Sequence, residues 1–86
     1  MKRRVHHHNF MGKRYEVDVE EPHDGICDEK KKYLIVSIPI ETKKGLTVLV
    51  HECLHACYPN MRHDRVEKGA ESIGGLLWKL GYRRKK

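Results

Sequence analysis

The chain has 86 residues, of which 18 are Lys or Arg and 12 are Asp or Glu, so its net charge is +6. A chain of this length forms one domain with a thin core, because it buries only about 60 to 65% of its unfolded surface. Its three cysteines lack the spacing of a disulfide framework, and no apolar run approaches the roughly 20 residues that cross a bilayer. These properties argue against a secreted disulfide scaffold or a membrane protein, and we expect a cytoplasmic protein with reduced cysteines.

Basic residues are concentrated at the two ends of the chain, in residues 2–4 and 83–86, and a tract of three histidines occupies residues 6–8. Basic ends can contact the phosphates of a nucleic acid. No aromatic interleaving or nucleic-acid motif accompanies them, so solvated termini are the favoured interpretation. We therefore predict a flexible, basic and histidine-rich tail at residues 1–12, one domain at residues 13–82, and a basic tail at residues 83–86.

Two segments have the pattern of β-strands. Residues 13–20 alternate apolar and charged side chains, which is the period of a half-buried strand. Residues 33–40 form a mainly apolar run that contains Pro39. Because proline has no N–H to donate to a sheet, we predict that this strand ends at Pro39 or lies at a sheet edge. The unpaired backbone groups of an edge strand can hold an extended peptide.

Two helices are predicted in the C-terminal half. The first, from about Leu46 to Tyr58, is apolar on almost every side, which is typical of a buried helix. The second runs from about Asp64 to Leu80 with apolar residues spaced by four and three, and Gly81 ends it. The predicted fold is therefore α+β, with a small antiparallel sheet of two or three strands packed on these two helices.

The first helix contains a pattern that indicates chemistry, because His51-Glu52-Cys53-Leu54-His55 matches H-E-x-x-H. Helical residues four apart lie on one face, so the imidazoles of His51 and His55 can bind a single metal ion. Glu52 lies one position around the helix. From there its carboxylate can serve as the general base toward a metal-activated water without being a ligand. Metal ligation would also offset the cost of placing these polar groups in an apolar helix.

A catalytic zinc site has three protein ligands and an open fourth position. The candidates for the third ligand are His63, Glu67 and Glu71. Glu67 lies one turn before Ala70, on the edge of a small-residue stripe that can face the first helix. The alternative role for Glu67 is a capping box with Asp64, in which its side chain folds back on the start of the helix. Glu71, one turn further on, is the reserve ligand.

With strands ahead of the histidine motif and Glu67-Lys68-Gly69-Ala70 on the second helix, the chain resembles the gluzincin zinc metallopeptidases. More narrowly, it resembles their minimal single-domain members of ImmA/IrrE-like or SprT-like type, which include small phage-encoded proteins. The resemblance spans roughly residues 25–81. It implies Glu67 as the third zinc ligand, whereas a SprT-like protein would use a histidine, which favours His63.

The resemblance implies a zinc-dependent metallopeptidase that cleaves a peptide or protein substrate, with Glu52 as the general base. Tyr58, Arg62 and His63 are candidates for stabilising the oxyanion of the transition state. The competing hypothesis is a non-catalytic, basic binding module in which zinc only stabilises the thin core, with a nucleic acid or a protein as partner. If the protein is phage-encoded, its location would be the host cytoplasm.

Overall fold

The structure is a computed structural model that describes residues 5–19, 26–28, 30–36 and 38–82. These residues form four short strands followed by two helices. The strands are β1 (Val5–Phe10), β2 (Lys13–Asp18), β3 (Ile26–Asp28) and β4 (Tyr33–Ile35), and the helices are α1 (Lys43–Cys57) and α2 (His63–Lys79). The predicted α+β class, with a small sheet packed on two helices, is confirmed. The basic clusters at residues 2–4 and 83–86 lie outside the described residues.

The sheet has the strand order β1-β2-β4-β3. β1 pairs with β2, and β3 pairs with β4, in antiparallel fashion, whereas β2 and β4 are parallel with Val17 opposite Leu34. The sheet is therefore mixed and has four strands, which differs from the antiparallel sheet of two or three strands that the sequence predicted. The strand order explains the difference. β3 does not pair with β2, and β4 lies between them, parallel to β2 and antiparallel to β3.

Residues 5–10 form β1, so the assignment of this segment to a flexible tail was wrong. The segment was missed because three consecutive histidines and an asparagine do not alternate with apolar residues. β1 pairs along its whole length with β2. The two strands are joined by a tight turn at Met11 and Gly12, which both have positive φ angles, as hairpin turns of this kind require.

The prediction for residues 33–40, a strand that ends at Pro39 or lies at a sheet edge, was also wrong. β4 ends at Ile35 and lies between β2 and β3, so β1 and β3 are the edge strands among the described residues. Beyond β4, the chain turns toward α1, and the carbonyl of Pro39 accepts hydrogen bonds from the backbone N–H and the hydroxyl of Thr42. Pro39 thus belongs to the turn that leads into α1.

The core lies between one face of the sheet and α1. Its buried apolar residues are Phe10, Tyr15, Leu34, Val36 and Ala56. The rings of Phe10 and Tyr15 pack edge to face with their centroids 5.5 Å apart. Cys53 and Cys57 pack against this cluster and form no disulfide, which confirms them as core side chains. The side chain of Cys27 lies outside the description.

α1 begins at Lys43, three residues before the predicted start, because Thr42 caps it. The Thr42 hydroxyl accepts a hydrogen bond from the backbone N–H of Gly45 at 3.0 Å. α2 lies against α1 at small residues. A Cβ atom added at Gly74 would come within 2.7 Å of the Thr47 hydroxyl oxygen, so this contact depends on glycine. The two helices therefore pack closely enough for side chains on their facing sides to meet.

Candidate metal centre

Three histidine side chains converge where the end of α1 meets the start of α2. His51 and His55 lie one turn apart on α1, and their Nε2 atoms are 3.1 Å apart. His63 is the first residue of α2, and its ring centroid lies 5.0 Å from that of His51 and 5.4 Å from that of His55. The ligand nitrogens of the three residues all lie within 4.8 Å of one another. The chain between the two helices thus folds back and adds His63 to the predicted histidine pair.

These three imidazoles fit a metal ion. Tetrahedral zinc with Zn–N bonds of 2.0 to 2.1 Å holds its ligand nitrogens about 3.3 Å apart. The His51–His55 separation is close to this value, and His63 is exposed, so its ring is free to turn inward. An all-imidazole donor set suits zinc, copper, iron or nickel. The geometry therefore defines a site for a metal without selecting the element.

The environment of His51 favours the neutral imidazole that a metal ion binds. Burial lowers the pKa of His51, and the neighbouring His55 and His63 lower it further, while the carboxylate of Glu67 raises it. Protons therefore compete less well for this ring than for a histidine in water. Since only the deprotonated nitrogen can be a ligand, the cluster is electrostatically prepared to bind a cation.

Glu52 is almost fully buried beside this cluster, with 8% of its surface exposed. Within the described part of the chain, no hydrogen bond or ion pair holds its carboxylate. Burial raises the pKa of Glu52, and the nearby His63 opposes that rise. A carboxyl group whose pKa is raised by burial is costly for the fold when it is ionised, and such groups are concentrated at functional sites. Glu52 is thus close enough to His63 for their charges to interact, and its role as the general base stays a prediction.

The structure does not include Glu67 in the histidine cluster. Among the described residues, the group of possible ligands that lie within 4.8 Å of one another consists of the three histidines. Glu67 lines the cavity next to them and acts on His51 through its charge. Its role as a ligand, and that of Glu71, stays a prediction, while the geometry favours His63.

The capping box that was the alternative role for Glu67 is not formed. α2 begins at His63, one residue earlier than predicted, and its N-cap is Arg62, which makes no side-chain capping bond. Asp64 instead forms an ion pair with Arg62, with Nε and Oδ1 3.2 Å apart. Glu67 therefore has no capping partner and projects into the cavity.

That cavity is a groove of about 800 Å³ between α1 and α2. It begins at the histidines and extends toward the N-terminal end of α1. Its lining residues are Lys43, Lys44, Thr47, Val48, His51, His63, Glu67, Glu71 and Gly75. We call it the helix groove. An extended segment of another molecule can lie in it with one part at the histidine cluster.

Tyr58 and Arg62, two candidates for stabilising an oxyanion, do not line the helix groove. They line a second cavity, of about 670 Å³, at the turn between the helices. Tyr58 ends α1, and the side chain of Arg62 is paired with Asp64. Of the three candidates, His63 alone lies at the histidine cluster.

Lys43 and Lys44 also line the helix groove, although no sequence motif indicated a role for them. Both lie in the first turn of α1, which contains no acidic residue. Acidic side chains are favoured at that position and cations are disfavoured, because the N-terminal end of a helix carries partial positive charge. Two lysines in the first turn are therefore unusual, and this signal can be recognised in the sequence only when the start of the helix is known.

Comparisons of the chain with protein-family models, with curated proteins and with solved structures found no match in any of the three. Across the described residues, no helix combines the length and the apolar character that a membrane span needs. The function is therefore inferred from the side chains, above all those of the three histidines and Glu52.

Proposed function

We propose that this protein is a zinc-dependent metallopeptidase, in which His51, His55 and His63 hold the metal and Glu52 is the general base. The observation that carries the proposal is the buried, unpaired carboxylate of Glu52 beside three converging imidazoles. A site that only stabilises the fold has no use for such a carboxylate, whereas hydrolysis needs a base at this place.

Zinc, when bound, would polarise the scissile carbonyl and make a water molecule more acidic. Three protein ligands leave the fourth coordination position open for this chemistry. Glu52 takes a proton from the water that attacks the peptide carbonyl and passes it to the leaving amine. Its side chain is largely buried in α1, which limits the positions that the carboxylate can take. The helix groove, which begins at the histidines, holds the part of the substrate on one side of the scissile bond.

The three-histidine ligand set is the one that a SprT-like protein implies, and it supports this interpretation over the gluzincin set with Glu67. In the proposed site, Glu67 is an acidic side chain at the edge of the cluster. There its negative charge, which also raises the pKa of His51, attracts the metal cation. Exchanging one carboxylate ligand for an imidazole leaves the open position and the role of Glu52 unchanged.

The test is cleavage of a quenched-peptide library by the zinc-loaded protein and by the Glu52→Gln variant, with bound zinc measured in both. We expect equal zinc content and a loss of cleavage of at least about 100-fold in the variant. Glu16→Gln is the matched control, because Glu16 lies on the sheet opposite His7 and outside the cluster of His51, His55 and His63, so its loss should leave the rate unchanged. Equal cleavage by wild type and Glu52→Gln would rule out Glu52 as the base.

The second candidate is a non-catalytic binding module with a structural metal. One feature supports it, because a cavity of about 390 Å³ on the sheet is lined mainly by polar and basic side chains. These include His7, Arg14, Lys31 and Lys32, with Glu16 beside them. A nucleic acid bound there would dissociate steeply as salt is raised. Salt-sensitive binding together with zinc retention and no hydrolysis would favour this candidate.

A further inference from the structure

The helix groove joins the histidine cluster to two lysines. Lys44 precedes His51 by seven residues and Lys43 by eight, so they lie about 10 to 12 Å from it along the axis of α1. Lys43, Lys44 and Thr47 line the same groove as His51. The groove thus has a metal-binding end and a basic end, on one continuous wall.

Neither lysine makes a described contact that would stabilise the fold. Both are exposed, and neither forms an ion pair with a residue that the structure describes. Their charges oppose the helix dipole at the start of α1, so they destabilise that helix slightly. The Thr42 hydroxyl already caps the N–H of Gly45. The ammonium groups of Lys43 and Lys44 are therefore available to an anion.

The opposite wall of the groove is acidic and limits where an anion can lie. Glu67 and Glu71 project from α2, which runs antiparallel to α1 with Gly74 against Thr47. In this register Glu67 lies near the histidines, Glu71 lies near the middle of the groove, and the lysines lie beyond both. A carboxylate placed midway would be repelled by Glu71, whereas one placed at the far end would meet Lys43 and Lys44.

We propose that the helix groove selects peptides that carry a carboxylate three or four residues from the scissile bond, bound by Lys43 and Lys44. The register follows from the length of the groove, because an extended peptide advances about 3.3 Å per residue and the span is about 10 to 12 Å. The inference rests on the proposed function, which places the scissile bond at the histidines. The carboxylate is an Asp or Glu side chain or the C-terminus of the peptide.

The test measures binding rather than turnover. Short peptides with a hydroxamate group, which chelates zinc and fixes one end at the histidines, are titrated calorimetrically into zinc-loaded protein. A single Asp is moved from position one to position six relative to the hydroxamate, with Asn at the same position as the neutral reference. In one series the peptide extends from one side of the hydroxamate, and in a second series it extends from the other side. The peptides that end in a free C-terminus are made both as the acid and as the amide, at matched positions.

We expect Asp at position three or four to bind roughly five- to tenfold more tightly than Asn, as two exposed ion pairs allow. We expect no gain at positions one and two. The double variant Lys43→Gln/Lys44→Gln should lose this preference, whereas Lys68→Gln/Lys79→Gln, which removes the same charge from outside the groove, should keep it. The acid and amide series tell whether a terminal carboxylate is accepted as well as a side chain.

Equal affinity for Asp and Asn at every position would overturn the inference, and so would a preference that survives in Lys43→Gln/Lys44→Gln. Weaker binding of every peptide to the variant, without a change in the Asp-to-Asn ratio, would also contradict it. Failure of the proposed function can be distinguished from failure of this inference. A protein that shows the expected register but hydrolyses no peptide is a carboxylate-selective peptide binder, and one that hydrolyses peptides without the register is an unselective peptidase.

Discussion

The imidazole of His63 stacks on that of His55, with ring centroids 5.4 Å apart and planes inclined by 21°. This contact joins the first residue of α2 to the last turn of α1, across a connection of a few residues. Any metal held by both rings therefore couples the two helices. The position of α2 along α1 and the affinity for metal depend on each other.

Removal of His63 should separate the two ligand hypotheses. We expect His63→Ala to weaken zinc binding by at least about 100-fold and to lose most of the rise in melting temperature on adding zinc, because one of three ligands is gone. A ligand at 100 times its Kd stabilises the folded state by about 2.7 kcal/mol. Competition with a chromophoric chelator measures the affinity. Glu67→Gln is the control, and a larger loss there than in His63→Ala would make Glu67 the third ligand.

Replacement of Glu52 should stabilise the metal-free protein at neutral pH. Burial raises the pKa of Glu52 above its ordinary value of 4.5, so the folded state holds the carboxyl proton more tightly than the unfolded state. That contribution to stability is complete below pH 4.5 and is lost as pH rises through the folded pKa. We expect Glu52→Gln to unfold at higher urea than wild type at pH 7.

At pH 4 the difference between Glu52→Gln and wild type should largely disappear, because Glu52 is then protonated in both states. The matched control is Glu71→Gln, since Glu71 is exposed in the helix groove. A stabilisation by Glu71→Gln as large as that by Glu52→Gln would attribute the effect to net charge rather than to burial.

Mild acid should destabilise the metal-free protein through His51. Its pKa is lowered from 6.5, chiefly by burial, so the unfolded state binds the proton first as pH falls. The free energy of unfolding should therefore decrease as pH falls from 7 through 6.5 toward the folded pKa. His51→Gln should flatten this slope in urea denaturation at pH 5 to 7. A slope in His51→Gln as steep as that in wild type would contradict this prediction.

The contact between Gly74 and Thr47 should control both stability and metal binding. A Cβ atom at Gly74 would lie 3.1 Å from the Cα atom and 2.7 Å from the hydroxyl oxygen of Thr47. We expect Gly74→Ala to destabilise the protein by about 1 to 3 kcal/mol. It should also weaken zinc binding, because α2 must move and His63 moves with it.

The neighbouring Gly75 offers a matched control for Gly74, since a Cβ atom there would have no other atom within 4 Å. We expect Gly75→Ala to stabilise α2 by about 0.5 to 1 kcal/mol through helix propensity and to leave zinc affinity unchanged. Thermal unfolding with and without zinc measures both variants. Equal effects of the two substitutions would show that the close approach at Gly74 does not set the helix position.

The parts of the fold that local sequence determines were predictable. Both helices and the strand at residues 13–18 follow from the spacing of apolar residues along a single segment. β1 was not predictable in this way, because its three histidines do not alternate with apolar residues. The sequence feature that indicates this strand is the turn at Met11 and Gly12. The parallel pairing of β2 with β4 depends on a crossover between distant segments, which no local pattern encodes.

The candidate site divides in the same manner. His51, Glu52 and His55 share one helix, so their arrangement follows from helical geometry alone. Helical geometry alone could not identify the third ligand, because His63 and Glu67 are four residues apart on one face of α2. Which of them meets the histidine pair depends on how far α2 is shifted along α1, and that shift is fixed by packing at Gly74.

The proposed ligands and the general base all lie within residues 51–63, a contiguous stretch of the chain. Closing this short loop around a metal costs little chain entropy, and its contacts are local in sequence. The sheet, by contrast, must join strands from residues 5 to 35. We therefore expect metal capture by the helical hairpin to come early in folding. Zinc would then act as a nucleus on which the rest of this small protein assembles.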